Sequence, residues 1–229
     1  ILRCPSDPHQ MKSGNWNSMG RNNYLFCYGD SQRGVELAEW EVLGPCTRGM
    51  FQQRWGRTLA ECVDGTSHTL GWAEVATAAS AEAGDRTPGS FFHGYQATQL
   101  PEVAQGRGVS KALCMQTRIG QRYREGQSIV AKRGMHWGDG LNDASGFNTV
   151  LPPNSPSCIM GNHEGAGIQS ASSQHVGGVH GLFLDNSVRF ISNSIDTGPV
   201  DAFSPGAYRN NSTMLYTADW NGPSPHGIW

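Results

Sequence analysis

Hydrophobic and polar positions alternate along this chain only in short runs. The clearest lies at 182–191, where Leu182-Phe183-Leu184 and Ser187-Val188-Arg189-Phe190-Ile191 flank Asp185-Asn186. Two residues that tolerate positive φ, set between apolar runs, predict a tight type I′ hairpin. Short strands are expected near 22–28 and 36–43. An apolar segment after residue 58, a turn at Asp64-Gly65 and a second segment from Thr69 to Val75 predict strand, turn, strand. Helical spacing is scarce. Ser110 to Ile119 shows it, with Ser110 placed to cap the first turn and Ala112, Leu113 and Met115 spaced to face inward. Proline fixes its own φ and biases its predecessor away from helix, so Leu151 to Pro156 is expected to be extended. Residues 77–90, 161–167 and 170–178 are small-residue loops. The tail at 197–229, rich in Pro, Gly and Asn, is expected to be an irregular extension of one globular domain spanning 1–229.

Composition sharpens this picture. The 229 residues include 30 glycines and 12 prolines, and only 16% are charged, a balance that favours turns and short strands over long helices. A net charge of -2 supplies no basic field for phosphate backbones, so nucleic acid is not an expected partner. No stretch approaches the roughly 20 apolar residues that span a bilayer, so no membrane contact is expected from this chain and any anchor is expected upstream of Ile1. The cysteines, Cys4, Cys27, Cys46, Cys62, Cys114 and Cys158, form an even set with no CxxC pair. That pattern disfavours a zinc finger and favours disulfides in an exported, extracellular or cell-surface protein. Sequence proximity alone pairs Cys4 with Cys27 and Cys46 with Cys62.

Several short motifs occur in a distinctive order: Cys4-Pro5-Ser6-Asp7, Asn23-Tyr24, Arg48-Gly49-Met50-Phe51, Asp64-Gly65-Thr66-Ser67-His68-Thr69 followed by Glu74, then Phe147 to Cys158, Ser172 to Val179 and Leu184 to Ile191. In this the chain resembles, over roughly 2–195, the prepilin-type processing-associated proteins of planctomycete bacteria, pseudopilin-like proteins named for a His, nine residues, Asp-Gly pattern. His175 and Asp185 match that spacing; Asn186 stands where the family has Gly, and His68 where it has Asn. The resemblance implies an α+β pilin-like head of short antiparallel strands, lacking the N-terminal helix, and a structural role in a filament or secretion-related surface assembly. Its partners would be copies of itself or other pilin-like subunits. A secreted carbohydrate- or ligand-binding module is the alternative.

No catalytic constellation is expected. No GxSxG elbow occurs, and His175 is read as a structural residue that holds the Gly177-Gly178 loop against the hairpin. No cofactor is implied, with one exception: Asp139, Asn142 and Asp143 place three oxygen donors within five residues, as calcium loops do, without the downstream Glu of an EF-hand. Arg118, Arg122, Arg124 and Arg133 form a local basic run, read first as a solvated face and secondarily as able to pair with acidic surfaces of neighbouring subunits.

Overall fold

The computed structural model describes residues 2–9, 20–30, 32, 49–52, 55–78, 94–101, 108–161, 165–198, 207–210 and 213–216. The expected strand at 36–43, most of the loop at 77–90 and Cys46 lie outside them. Along the chain come β1 (Tyr24–Cys27), β2 (Phe51–Gln52), β3 (Trp55–Gly56), two 3-10 turns (Leu59–Glu61 and Thr66–His68), β4 (Leu70–Glu74) and β5 (Gln96–Ala97). Next are α1 (Lys111–Gln116), β6 (Arg118–Ile119), β7 (Arg122–Tyr123), β8 (Ile129–Val130), α2 (Asn142–Ser145) and β9 (Gly146–Phe147). The chain continues through β10 (Ser157–Ile159), β11 (Gly167–Ile168), β12 (Gly178–Phe183), β13 (Val188–Ser192), β14 (Ala207–Asn210) and β15 (Thr213–Tyr216).

This architecture is mainly β, which corrects the α+β expectation. The two α-helices among the described residues are six and four residues long, too short to form a layer over a sheet. The physical reason is on the sequence: only Ser110 to Ile119 carries helical spacing, and glycine and proline interrupt the rest. α1 forms where expected, with the Ser110 hydroxyl accepting from the Leu113 amide at 3.4 Å. Its inward residues are Lys111 and Cys114, with Leu113 and Met115 only partly buried. The apolar segment before Asp64 is a 3-10 turn rather than a strand, and within 197–229 β14 and β15 pair as an antiparallel hairpin. Nor is Leu151 to Pro156 fully extended, since Asn154 turns the chain with φ 58.

A five-stranded sheet, ordered β13-β12-β4-β1-β9, carries one core. Its inner face buries Leu25, Cys27, Ala73, Val75, Phe147, Val179, Phe183 and Ile191, and each such Leu, Ile, Val or Phe contributes about 1.5 to 3 kcal/mol when fully withdrawn from water. The register slips between Leu182↔Trp72 and Phe183↔Leu70. The resulting bulge lets Leu70 reach the core alongside Ala73. Alternation puts the remaining side chains of these strands on the outer face. One cross-strand row there contains Val188, Leu182, Trp72 and Phe26, and the next contains Phe190, His180, Glu74 and Tyr24.

A second sheet, ordered β11-β10-β5-β8, packs Ala97, Ile129, Cys158 and Ile168 with Val109, Cys114 and Tyr123. The Cys114–Cys158 disulfide ties α1 to β10 inside this core. Arg133 is also buried, donating to the carbonyls of Asn142, Asp143, Gly146 and Ser170. Those four acceptors offset the cost of burying its charge, and burial lowers its pKa to about 10. Arg133 is therefore an internal strut and not part of a surface run, whereas Arg122 and Arg124 are exposed.

Candidate functional site

The residues singled out by motif gather at the two ends of the β4–β12 pair. At one end sits the hairpin tip. Asn186 has φ 65 and its amide donates to the Phe183 carbonyl at 3.0 Å, while the Phe183 amide donates to Ser187 at 2.9 Å. This is a three-residue loop with a single left-handed residue, not the two-residue type I′ turn expected, and Asn is suited to that one position. Asp185 accepts from the Ser187 amide and hydroxyl and from Arg189. These hydroxyl and amide donors hold its carboxyl below its usual value. The Leu184 and Asp185 amides donate to the carbonyls of Thr69 and Thr66. The turn containing Asp64 and Gly65, with Gly65 at φ 86, thereby packs under the hairpin tip.

At the other end lies a polar cluster on the outer face. Alternation in β4 directs Glu74 away from the apolar core, yet only 5% of its side chain is exposed. Its Oε2 accepts from the His180 backbone amide at 2.7 Å and from His180 Nδ1 at 3.3 Å. Its Oε1 lies 3.2 Å from His175 Nε2. Cys4 Sγ stands 3.8 Å from that same Nε2 and 3.8 Å from Oε1. The rings of His175 and His180 meet edge to face at 5.0 Å, and His180 meets Phe190 at 5.3 Å. Tyr24, opposite Glu74, has its phenol pushed upward by burial and then by the neighbouring Cys4 and Glu74 charges.

Each member is held from behind. The Cys4 amide donates to Asn23 Oδ1 at 3.0 Å, and Asn23 in turn donates to Asp7 and to the Val75 carbonyl. Asp7 also accepts from the amide and hydroxyl of Thr77 and the amide of His9. Burial works to raise the Asp7 carboxyl, but these hydrogen bonds outweigh it and hold the carboxyl below its usual value. The His175 amide donates to Ser173 Oγ, which donates to the Gly178 carbonyl. Gly177 supplies φ 88, and a Cβ on Gly178 would lie 2.1 Å from the Ile191 carbonyl oxygen. So the Gly177-Gly178 pair delivers the His175 loop onto the sheet. The His175 ring faces Glu74, 101 residues away in the chain.

The other residues named from the sequence are placed as follows. Cys4, Cys27 and Cys62 are free thiols, so Cys4 does not pair with Cys27, and Cys46, the expected partner of Cys62, lies outside the described residues. Cys27 is buried within the core with its thiol pushed up to about 12 by burial, and Cys62 contacts the Thr69 hydroxyl at 2.9 Å. In the stretch read as a calcium loop, Asp139 accepts from the Leu141 amide and faces His136, Asn142 donates to the Gly165 carbonyl, and Asp143 accepts from Gln96. Each of the three has a protein partner, and Asn142 Oδ1 is buried with no hydrogen-bond partner among the described residues.

Chemically, the Cys4/Glu74/His175 cluster differs from a nucleophilic triad. In a triad the imidazole uses one nitrogen for the nucleophile and the other for the carboxylate. Here both Cys4 and Glu74 face one nitrogen, Nε2, so Glu74 cannot orient the ring from its far side. Among the described residues, no other trio of His, Cys, Asp or Glu brings ligand atoms within 4.8 Å of one another.

Fold and site together define a mainly β, disulfide-containing domain with a Cys/Glu/His cluster on the outer face of its larger sheet. The chain belongs to the family described as a protein of unknown function, DUF1559, which it matches over residues 1–198. No curated protein and no solved structure matches it.

Proposed function

We propose that this chain is the globular part of a pilin-like or pseudopilin-like subunit, exported from a bacterium and built into a surface assembly without a catalytic role. The observation that carries the reading is the outer edge of the larger sheet. β13 pairs only with β12 among the described residues, and its Val188 and Phe190 are 64% and 50% exposed on the same face. A strand edge with unpaired backbone and apolar side chains is a template for a neighbouring copy or a related subunit. The buried Cys114–Cys158 disulfide supports an oxidising, extracellular location.

The carbohydrate-binding alternative has less support. The half-buried rings of Phe26, Phe51 and Trp72 lie 4.7 to 5.5 Å apart at interplanar angles of 42 to 61°. They pack on one another and present no flat platform to a sugar. Electron microscopy of native material from the cell surface, with mass spectrometry of the same sample to fix the mature N-terminus, tests the assembly reading. Regular filaments or lattices containing this chain are expected. Monodisperse particles alone would overturn it.

A further inference from the structure

We propose that Cys4, Glu74 and His175 form a binding site for one divalent transition metal of the zinc class, with His180 as a positioning residue for Glu74. Tetrahedral coordination, with a metal–sulfur bond of about 2.3 Å and metal–nitrogen and metal–oxygen bonds of about 2.0 to 2.2 Å, places sulfur about 3.6 Å from the other donors and nitrogen about 3.3 Å from oxygen. The observed edges are 3.8 Å for Cys4–His175, 3.8 Å for Cys4–Glu74 and 3.2 Å for His175–Glu74. All three donor atoms thus surround one point at ligand distance from each.

The carboxylate is divided accordingly. Oε2 is occupied by the His180 amide and ring, which fixes the carboxylate plane and leaves Oε1 aimed at the thiol and imidazole. A histidine that holds a ligating carboxylate in this way plays a recognised outer-shell role in metal sites. Donor chemistry selects the metal. A thiolate with an imidazole suits zinc and its borderline-soft neighbours, whereas calcium and magnesium require oxygen ligands throughout. His175 is 30% exposed, so water and a metal ion can reach the cluster from that side. Bound metal would join three segments distant in the chain: the residues around Cys4, β4, and the loop before β12. It would displace the Cys4 thiol proton, and its affinity would fall as pH falls.

The test uses the full chain, stripped with a chelator and then given zinc or cobalt(II) alone. One equivalent of zinc retained after desalting is expected. Cobalt should give the intense near-ultraviolet charge-transfer band of a thiolate ligand. Cys4→Ser should abolish that band and, like His175→Ala, reduce zinc retention to background. His180→Phe should weaken binding about 10- to 100-fold while the band persists at saturation. As a second readout, zinc should protect Cys4 from alkylation while Cys62, outside the cluster, stays as reactive as before. No retained zinc in the wild-type chain, or Cys4→Ser and His175→Ala chains that bind as the wild type does, would overturn the proposal. Should His175→Ala fail to fold, Cys4→Ser still decides, because Cys4 is only half-buried and lies outside both apolar cores.

Discussion

Two buried carboxylates hold the polar end of the outer face, and they do so differently. Glu74 gathers donors from His175 and His180 across 101 and 106 residues of chain, whereas Asp7 fastens the N-terminal segment to Asn23 and Thr77. Burial alone would make either charge costly, and hydrogen bonds from fixed donors are what make the charged form acceptable. For Asp7 the consequence is pH-dependent. Its folded pKa is lowered below that of the unfolded chain, so its stabilisation is fully present above the unfolded value near pH 4 and is lost as pH falls through the lower folded value. Asp7→Asn removes a charged acceptor of several hydrogen bonds and should cost about 1.5 to 3 kcal/mol at neutral pH. Urea melts of both chains from pH 7 to pH 2 should show that difference shrinking as the solution is acidified. A difference that is constant with pH would show that Asp7 stabilises by packing and not by charge.

At the scale of elements, what was legible in the sequence is what short-range chemistry controls. The Ser110 cap and α1 are local, and so is the 182–191 hairpin, although its loop is three residues because only Asn186 takes positive φ. The loop that carries His175 was legible because it is built from Ser173, Gly177 and Gly178 within a few residues. Glu74 was not, since nothing in its neighbourhood announces partners 101 residues ahead. The disulfide was misjudged for the same reason. Proximity along the chain favoured Cys4 with Cys27, but alternation in β1 puts Cys27 in the apolar core while Cys4 faces Glu74 on the other side of the sheet. The bond that forms, Cys114–Cys158, closes a separation of 44 residues between α1 and β10. Restricting the unfolded chain by a loop of that length contributes about 4 kcal/mol in the chain-entropy account, and measured effects run lower. Replacing both cysteines by alanine should therefore lower the unfolding free energy by about 2 to 4 kcal/mol in denaturant titrations. Alkylation of the native protein without reductant should leave Cys114 and Cys158 unlabelled. Labelling of either would contradict the bond.

For the whole molecule, the larger sheet divides its labour between faces and edge. Its inner face supplies a core, its outer face holds the Cys4/Glu74/His175 cluster, and β13 at the edge presents Val188 and Phe190 beside Arg189. Neither Val188 nor Phe190 belongs to a core cluster, so their exposure is not needed to fold this chain. A single exposed apolar residue is ordinary, but two on one face of an edge strand are what natural sheets avoid unless something pairs there. Folding and assembly are consequently separable at these positions. Val188→Asp with Phe190→Asp should lower the melting temperature only slightly, costing the about 0.5 to 1.5 kcal/mol that the Phe190–His180 ring contact is worth and within about 0.5 kcal/mol for the exposed Val188. The same pair should abolish regular assemblies in electron micrographs of cells producing the variant. Intact filaments or lattices in the variant would move the contact away from β13, and a large drop in melting temperature would show that the edge is already covered within the chain.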